Sequence, residues 1–195
     1  MIDISIPYKN GLITYPGDMQ YEEYEFKTHE KDHVHIMRVI METHSGTHFD
    51  APYHMIPDGK KANEIDLERF IGKASVIETS RKEVTDIDIP EKIEKIVLLK
   101  TPNSEKYDKF DENFTYLSLS GAKKLIQHGV KVVGIDYLSI EKFGVEPEVH
   151  KYLFRNDAVI IEGLNLKNVN PGTYDFVCLP LDMGQDGAPC RAVLL

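Results

Sequence analysis

Residues 44 to 54 read H-S-G-T-H-F-D-A-P-Y-H, which places three of the chain's 8 histidines and one aspartate within a single short segment. Imidazole nitrogen and carboxylate oxygen are the donors of a zinc site, with manganese or iron also accepting the set. Such donors must converge on a point, and short spacings on a constrained backbone achieve this most easily. His44 and His48 stand four apart, the spacing of one face of a helical turn. His48 and Asp50 stand two apart, which suits one face of an extended segment. Gly46 permits an unusual backbone angle between the first two donors, and Pro52 stiffens the exit. The segment alone predicts a metal site without naming a reaction.

Two further residues admit a functional reading, although on the residues alone a structural one is the commoner. Glu162 ends the apolar run A-V-I-I, where a carboxylate is costly to bury unless a cation or a donor compensates it. His150 lies on the segment just before, and the turn R-N-D lets the chain double back towards Glu162.

The elements that must position these groups are mostly strands. I-D-I-S-I at 2 to 6 alternates apolar and polar, and strands are expected over about 21–27 and 33–43, so the histidine segment begins where a strand ends. Y-P-G-D at 15 to 18 reads as a tight turn. Asp66 is expected to cap a short helix closed by Gly72, followed by a strand over 74–79 and another over 95–100. Ser118 or Ser120 can cap a helix that Gly129 terminates, with a strand over 130–136 behind it. A helix over about 146–154, a strand over 158–162 and two strands in the tail complete the chain. The prediction is a mixed α/β fold, a single domain over 1–195.

Composition narrows the function. At 42% hydrophobic and 28% charged the chain is globular, and a net charge of -9 excludes general nucleic-acid binding, which needs clustered cations. No apolar run approaches the roughly 20 residues of a membrane span. Cys178 and Cys190 fit no redox or zinc-ribbon spacing and read as small core residues. With no secretory signal visible at the N-terminus, a cytoplasmic location is expected.

The 44–54 segment resembles the H-x-G-T-H-x-D-x-P-x-H signature of the bacterial kynurenine formamidase and cyclase family of metal-dependent hydrolases, matching every fixed position. The resemblance extends over most of the chain, through Y-P-G-D at 15–18, G-I-D at 134–136, E-G-L at 162–164 and D-G-A-P-C-R at 186–191. It implies that His44, His48 and Asp50 ligate one divalent metal. His150 and Glu162 would complete a second, with Asp50 reaching it and Glu162 bridging both, so two zinc ions per chain are expected, manganese being possible. His54 would be the general acid/base. The implied reaction, a step of tryptophan catabolism, is hydrolysis of N-formylkynurenine to kynurenine and formate by metal-activated water.

The same resemblance implies a swivelling β/β/α fold and a homodimer or higher homo-oligomer. One departure bears on substrate: Tyr15 stands where the family carries tryptophan as an aromatic substrate contact, and this chain has no Trp. Two alternatives therefore stay open, an isatin-hydrolase-like opening of a cyclic amide and a metal-binding protein without turnover. Thr47 is expected to hold a ligand carboxylate or solvent, or simply to shape the turn. Asp18 and Asp186 are expected to be solvated, with support of the ligand histidines as the alternative, His33 and His35 to be exposed or polar core positions, and Arg191 to form a structural ion pair.

Overall fold

A computed structural model describes residues 1–195. In chain order, β1 (Ile2–Asp3), β2 (Glu22–Lys27), α1 (His29–Asp32) and β3 (Ile36–Ile40) precede the short strand β4 (His48–Asp50). Then come β5 (Ile71–Glu78), β6 (Glu83–Val84), β7 (Ile96–Lys100), β8 (Tyr116–Leu117), α2 (Leu119–Gln127) and β9 (Val132–Ile135). The chain ends with α3 (Glu148–Arg155), β10 (Val159–Glu162), β11 (Gly172–Pro180) and β12 (Gly187–Leu194).

Seven strands form a ring in the order β12, β11, β5, β7, β9, β10, β4, and the ring closes because β4 pairs with β12 as well as with β10. The run from β5 to β10 is parallel, while the pairings through β4, β11 and β12 are antiparallel. β1 lengthens the same edge of β12 beyond β4, pairing Ile2 with Leu194.

Alternation along the strands divides two cores. Leu98, Val132, Val159 and Ile161 face the ring interior with Phe49, Phe70 and Phe176. Val97, Leu99, Val133, Ile135 and Ile160 face outwards onto Leu125 of α2 and Leu153 of α3. Burial on both faces explains why β7, β9 and β10 are uninterrupted apolar runs rather than alternating ones.

The mixed α/β architecture agrees with the expectation, and several local expectations need correction. The strand expected over 33–43 is shorter, Ile36–Ile40: His33, which ends α1, takes a left-handed backbone with φ 59°, and the strand stops before the histidine segment begins. The helix expected after Asp66 is a single tight turn over Leu67–Phe70, uncapped by the Asp66 side chain. Gly72 does not close it but lies inside β5. Ser118 is the residue that caps α2, its hydroxyl accepting from the Gly121 N–H, and Gly129 follows with φ 76° as expected. Cys178 and Cys190 are buried free thiols inside the ring.

Candidate metal centre

β4 places the two inner donors. Its three residues are flanked on both sides, with Glu162 of β10 opposite His48 in one register and Gly187 of β12 opposite Asp50 in the other. Alternation sends Phe49 into the ring, where it packs against Phe70, and leaves His48 and Asp50 on the outer face with Glu162. α3 covers that face and brings His150 over it. The donors thus lie between the outside of the ring and a helix, in a layer that is almost fully buried.

A close backbone approach holds the two halves together. Gly163 follows Glu162 with φ 68°, and a Cβ there would collide with the Gly46 carbonyl. Thr47 locks the contact from the other side. Its hydroxyl donates to the Gly163 carbonyl at 2.5 Å and accepts from the Ile6 N–H at 2.8 Å. Thr47 therefore binds backbone, and the expected bond to a ligand carboxylate or solvent is not its role.

The donor atoms are arranged around two points. His48 Nε2 lies 3.2 Å from Asp50 Oδ1 and 3.6 Å from Glu162 Oε2. His150 Nε2 lies 3.6 Å from Asp50 Oδ2 and 3.3 Å from Glu162 Oε1. Each carboxylate thus turns one oxygen to His48 and the other to His150. His44 Nδ1 lies 2.8 Å from Asp50 Oδ1, joining the first group.

The ring orientations make this a cation site in chemical terms. His48 Nδ1 is 3.0 Å from the Gly46 carbonyl, which only accepts, so Nδ1 carries a proton and Nε2 is the nitrogen turned to the carboxylates. His48 Nε2 and Asp50 Oδ2 are buried without any hydrogen-bond partner. Buried polar atoms are rarely left this way, and a divalent ion taking nitrogen and oxygen donors fits these groups. The three clusters of donors that could hold an ion are His44, His48 and Asp50; Asp50, His150 and Glu162; and His44, His54 and Asp186.

Electrostatics agree. Burial opposes charge on His44, yet Asp50 and Asp186 outweigh it and push the imidazole up to about 9. His150 is also raised well above the ordinary histidine value, burial being outweighed by Asp50, Glu141 and Glu162. The site's carboxylates call for positive charge. His54 behaves oppositely: burial dominates and lowers its pKa, so it is largely neutral near pH 7.

His54 sits at the end of a tight turn over Pro52–His54 that leaves β4 and faces a cavity of about 650 Å³. Its ring centroid is 4.0 Å from that of His44 and 6.1 Å from that of His150. Tyr15 lines the same cavity, its ring set edge-on to Phe110 at 5.4 Å and tilted on Phe143 at 5.7 Å. All seven candidate residues, His44, His48, Asp50, His54, His150, Glu162 and Tyr15, thus meet at one cavity or directly beneath it. Phe49 is ring core, Tyr8 packs on Tyr21, and Tyr53 is exposed beside Lys61.

Asp186, expected to be solvated, joins the site. Its Oδ2 lies 3.0 Å from His44 Nε2 and 3.6 Å from His54 Nδ1, and its Oδ1 accepts from Thr43. Gly187 makes room for this, since a Cβ there would meet the Phe49 carbonyl at 2.7 Å and the His44 ring at 3.0 Å. Glu141, whose carboxylate reaches His150, is a residue that sequence reasoning missed. Arg191 pairs with Asp3 as expected, and His35 pairs with Glu25 outside the cavity.

The family model described as "Putative cyclase" matches residues 2–142. A Bacillus cereus protein named kynurenine formamidase is 33% identical to this chain over 202 residues, covering 99% of this chain and 96% of its own length. A solved Bacillus stearothermophilus structure, described as a predicted metal-dependent hydrolase, superimposes with a TM-score of 0.86 at 33% identity. That match covers 99% of this chain and 96% of the other. An isatin hydrolase bound to thioisatinate shares the fold, with a TM-score of 0.83 at 18% identity over 99% of this chain and 90% of its own. This chain belongs to the Cyclase family, as its match to the family model and to the Bacillus cereus protein shows.

Proposed function

We propose that the protein is a metal-dependent amide hydrolase that converts N-formylkynurenine to kynurenine and formate, a step of tryptophan catabolism, as one domain over 1–195. The observation that carries this reading is the pair of buried, unpartnered atoms, His48 Nε2 and Asp50 Oδ2, set beside a neutral histidine facing a cavity. His44, His48 and Asp50 would hold one divalent ion, and His150 and Glu162 a second, with both carboxylates shared. Nitrogen with carboxylate oxygen favours zinc, and manganese accepts the same donors. Ions held there supply Lewis acidity, which acidifies water and draws charge from a carbonyl.

The protein's own groups supply orientation and proton transfer. Tyr15, backed by Phe110 and Phe143, offers a face for the aryl ring. His54 takes a proton as water adds to the formyl carbon, and Asp186 steadies the resulting imidazolium. The C–N bond then breaks as the proton passes from His54 to the departing aryl amine nitrogen, and the formic acid released ionises to formate. Burial keeps His54 available as the base at the start of this cycle.

A substrate panel tests the reading. Zinc-loaded and manganese-loaded protein should hydrolyse N-formylkynurenine, with simple formanilides slower. Turnover of isatin alone would move the assignment to cyclic-amide opening, and no turnover of any member would leave a metal-binding protein.

The homodimer also belongs to the proposal. β2 and β3 form a separate hairpin whose Tyr24, Phe26, Ile36 and Val39 are all exposed on the monomer. A lone hairpin is marginal in water, and a second copy packed against these side chains would support it. Light scattering should give twice the chain mass, and Val39→Glu should halve it. Free buried thiols suit a reducing, cytoplasmic setting.

A further inference from the structure

Glu141 takes no part in the steps above, yet it is nearly buried at 9% exposure in the connection between β9 and α3. One of its oxygens, Oε2, receives three donors: the Val149 N–H at 2.9 Å, the His150 N–H at 3.2 Å and His150 Nδ1 at 3.1 Å. The first of these functions is capping. α3 begins after Pro147, which offers no side-chain acceptor, and first-turn amides have no partner within a helix. A carboxylate from outside the helix fills that place, where the helix dipole also favours negative charge.

The second function is orientation. A carboxylate only accepts, so His150 Nδ1 carries a proton, and the ring is held with Nε2 turned to Asp50 and Glu162, the nitrogen left to ligate an ion there. The adjoining residue completes the device, because the Ile140 N–H donates to Glu162 Oε1 at 2.7 Å. Two consecutive residues thus fix the two donors, His150 by a side chain and Glu162 by an amide. Ser139 braces them, its hydroxyl accepting the Glu141 N–H at 3.1 Å.

We propose that Glu141 is a positioning residue for the His150 and Glu162 half of the centre, and that it couples ion binding there to the ordering of the first turn of α3. The inference rests on the metal reading above. Partners that fix the orientation of a ligating histidine typically change metal affinity by about 10–100-fold.

The test uses metal-stripped full-length protein and two variants. Glu141→Gln keeps an oxygen acceptor for all three donors and loses the charge, while Glu141→Ala loses both. In a calorimetric zinc titration, Glu141→Gln should weaken one of two binding steps about 10-fold and Glu141→Ala about 100-fold, the other step staying within about twofold. Without metal, amide exchange at Val149 and His150 should speed up in Glu141→Ala and stay near wild type in Glu141→Gln. Zinc should slow the same two amides in the wild type. Wild-type affinities in Glu141→Ala, or equal loss at both steps, would overturn the positioning role. A wild type that binds no zinc fails the metal assignment itself. The exchange measured without metal then decides whether Glu141 holds α3, and unchanged exchange in Glu141→Ala refutes that hold.

Discussion

Gly163→Ala should damage this protein through one contact, and a matched control can isolate it. Gly163 and Gly129 both have left-handed backbone, with φ 68° and 76°. A Cβ at Gly129 meets nothing within 4 Å, so Gly129→Ala carries only the conformational penalty, about 1–2 kcal/mol. At Gly163 the new methyl also strikes the Gly46 carbonyl and comes within 3.2 Å of Thr47 Cα. Backbone cannot rotate aside as a side chain can, so an overpacking term of about 1–3 kcal/mol is added. At about 2–4 °C per kcal/mol for a chain of this size, Gly129→Ala should melt about 2–8 °C below wild type. Gly163→Ala should melt at least about 2 °C lower still. Thermal melts in chelator measure the difference without any contribution from bound ion. Because the displaced backbone carries His44 and His48, zinc affinity should fall in Gly163→Ala and hold in Gly129→Ala. Melting temperatures within about 1 °C of each other would refute the close-approach argument.

His54→Ala should retain two ions by elemental analysis and lose about 10²–10⁴ in kcat, whereas loss of an ion would make His54 a ligand. Thr47→Val strands the Ile6 N–H and the Gly163 carbonyl, so urea unfolding should show about 2–5 kcal/mol of destabilisation, with Thr47→Ser recovering most of it. Asp136 is a buried carboxylate pushed up to about 6 by burial, although Ser104 and Thr101 donate to it. Its folded pKa exceeds the unfolded value of about 3.9, so its contribution to stability is full below pH ~4 and declines as pH rises through ~6. Asp136→Asn should remove that decline. The variant's stability relative to wild type should rise by up to about 3 kcal/mol between pH 4 and 7, and a difference independent of pH would contradict the burial argument.

The parts of the site that were legible in sequence are those built from short-range constraint. H-S-G-T-H-F-D works because a turn entering a strand aims three donors within seven residues, and the resemblance then supplied His150 and Glu162. β7, β9 and β10 were legible because strands buried on both faces leave unbroken apolar runs. Asp186 was legible only as an alternative to solvation, because its partners His44 and His54 lie across the whole chain and only the pairing of β12 with β4 brings them near. Glu141 was hidden differently. In S-I-E-K-F-G it reads as one more solvated charge, and its significance comes from a helix that starts seven residues later. α1 escaped notice because four residues are too few for a periodic signal.

The placement of β12 has a consequence for biosynthesis. β12 touches β11 on one edge and both β4 and β1 on the other, so the last of these twelve strands in chain order lies between β11 and strands from the first third of residues 1–195. A ribosome must release residues 187–194 before the ring can close around β4. Until then His48 and Asp50 sit on a strand with one free edge, and Asp186 has no fixed position beside His44. Closing the site therefore waits until residues 187–194 have emerged, and the nascent protein depends on its surroundings to keep that edge from pairing with another chain.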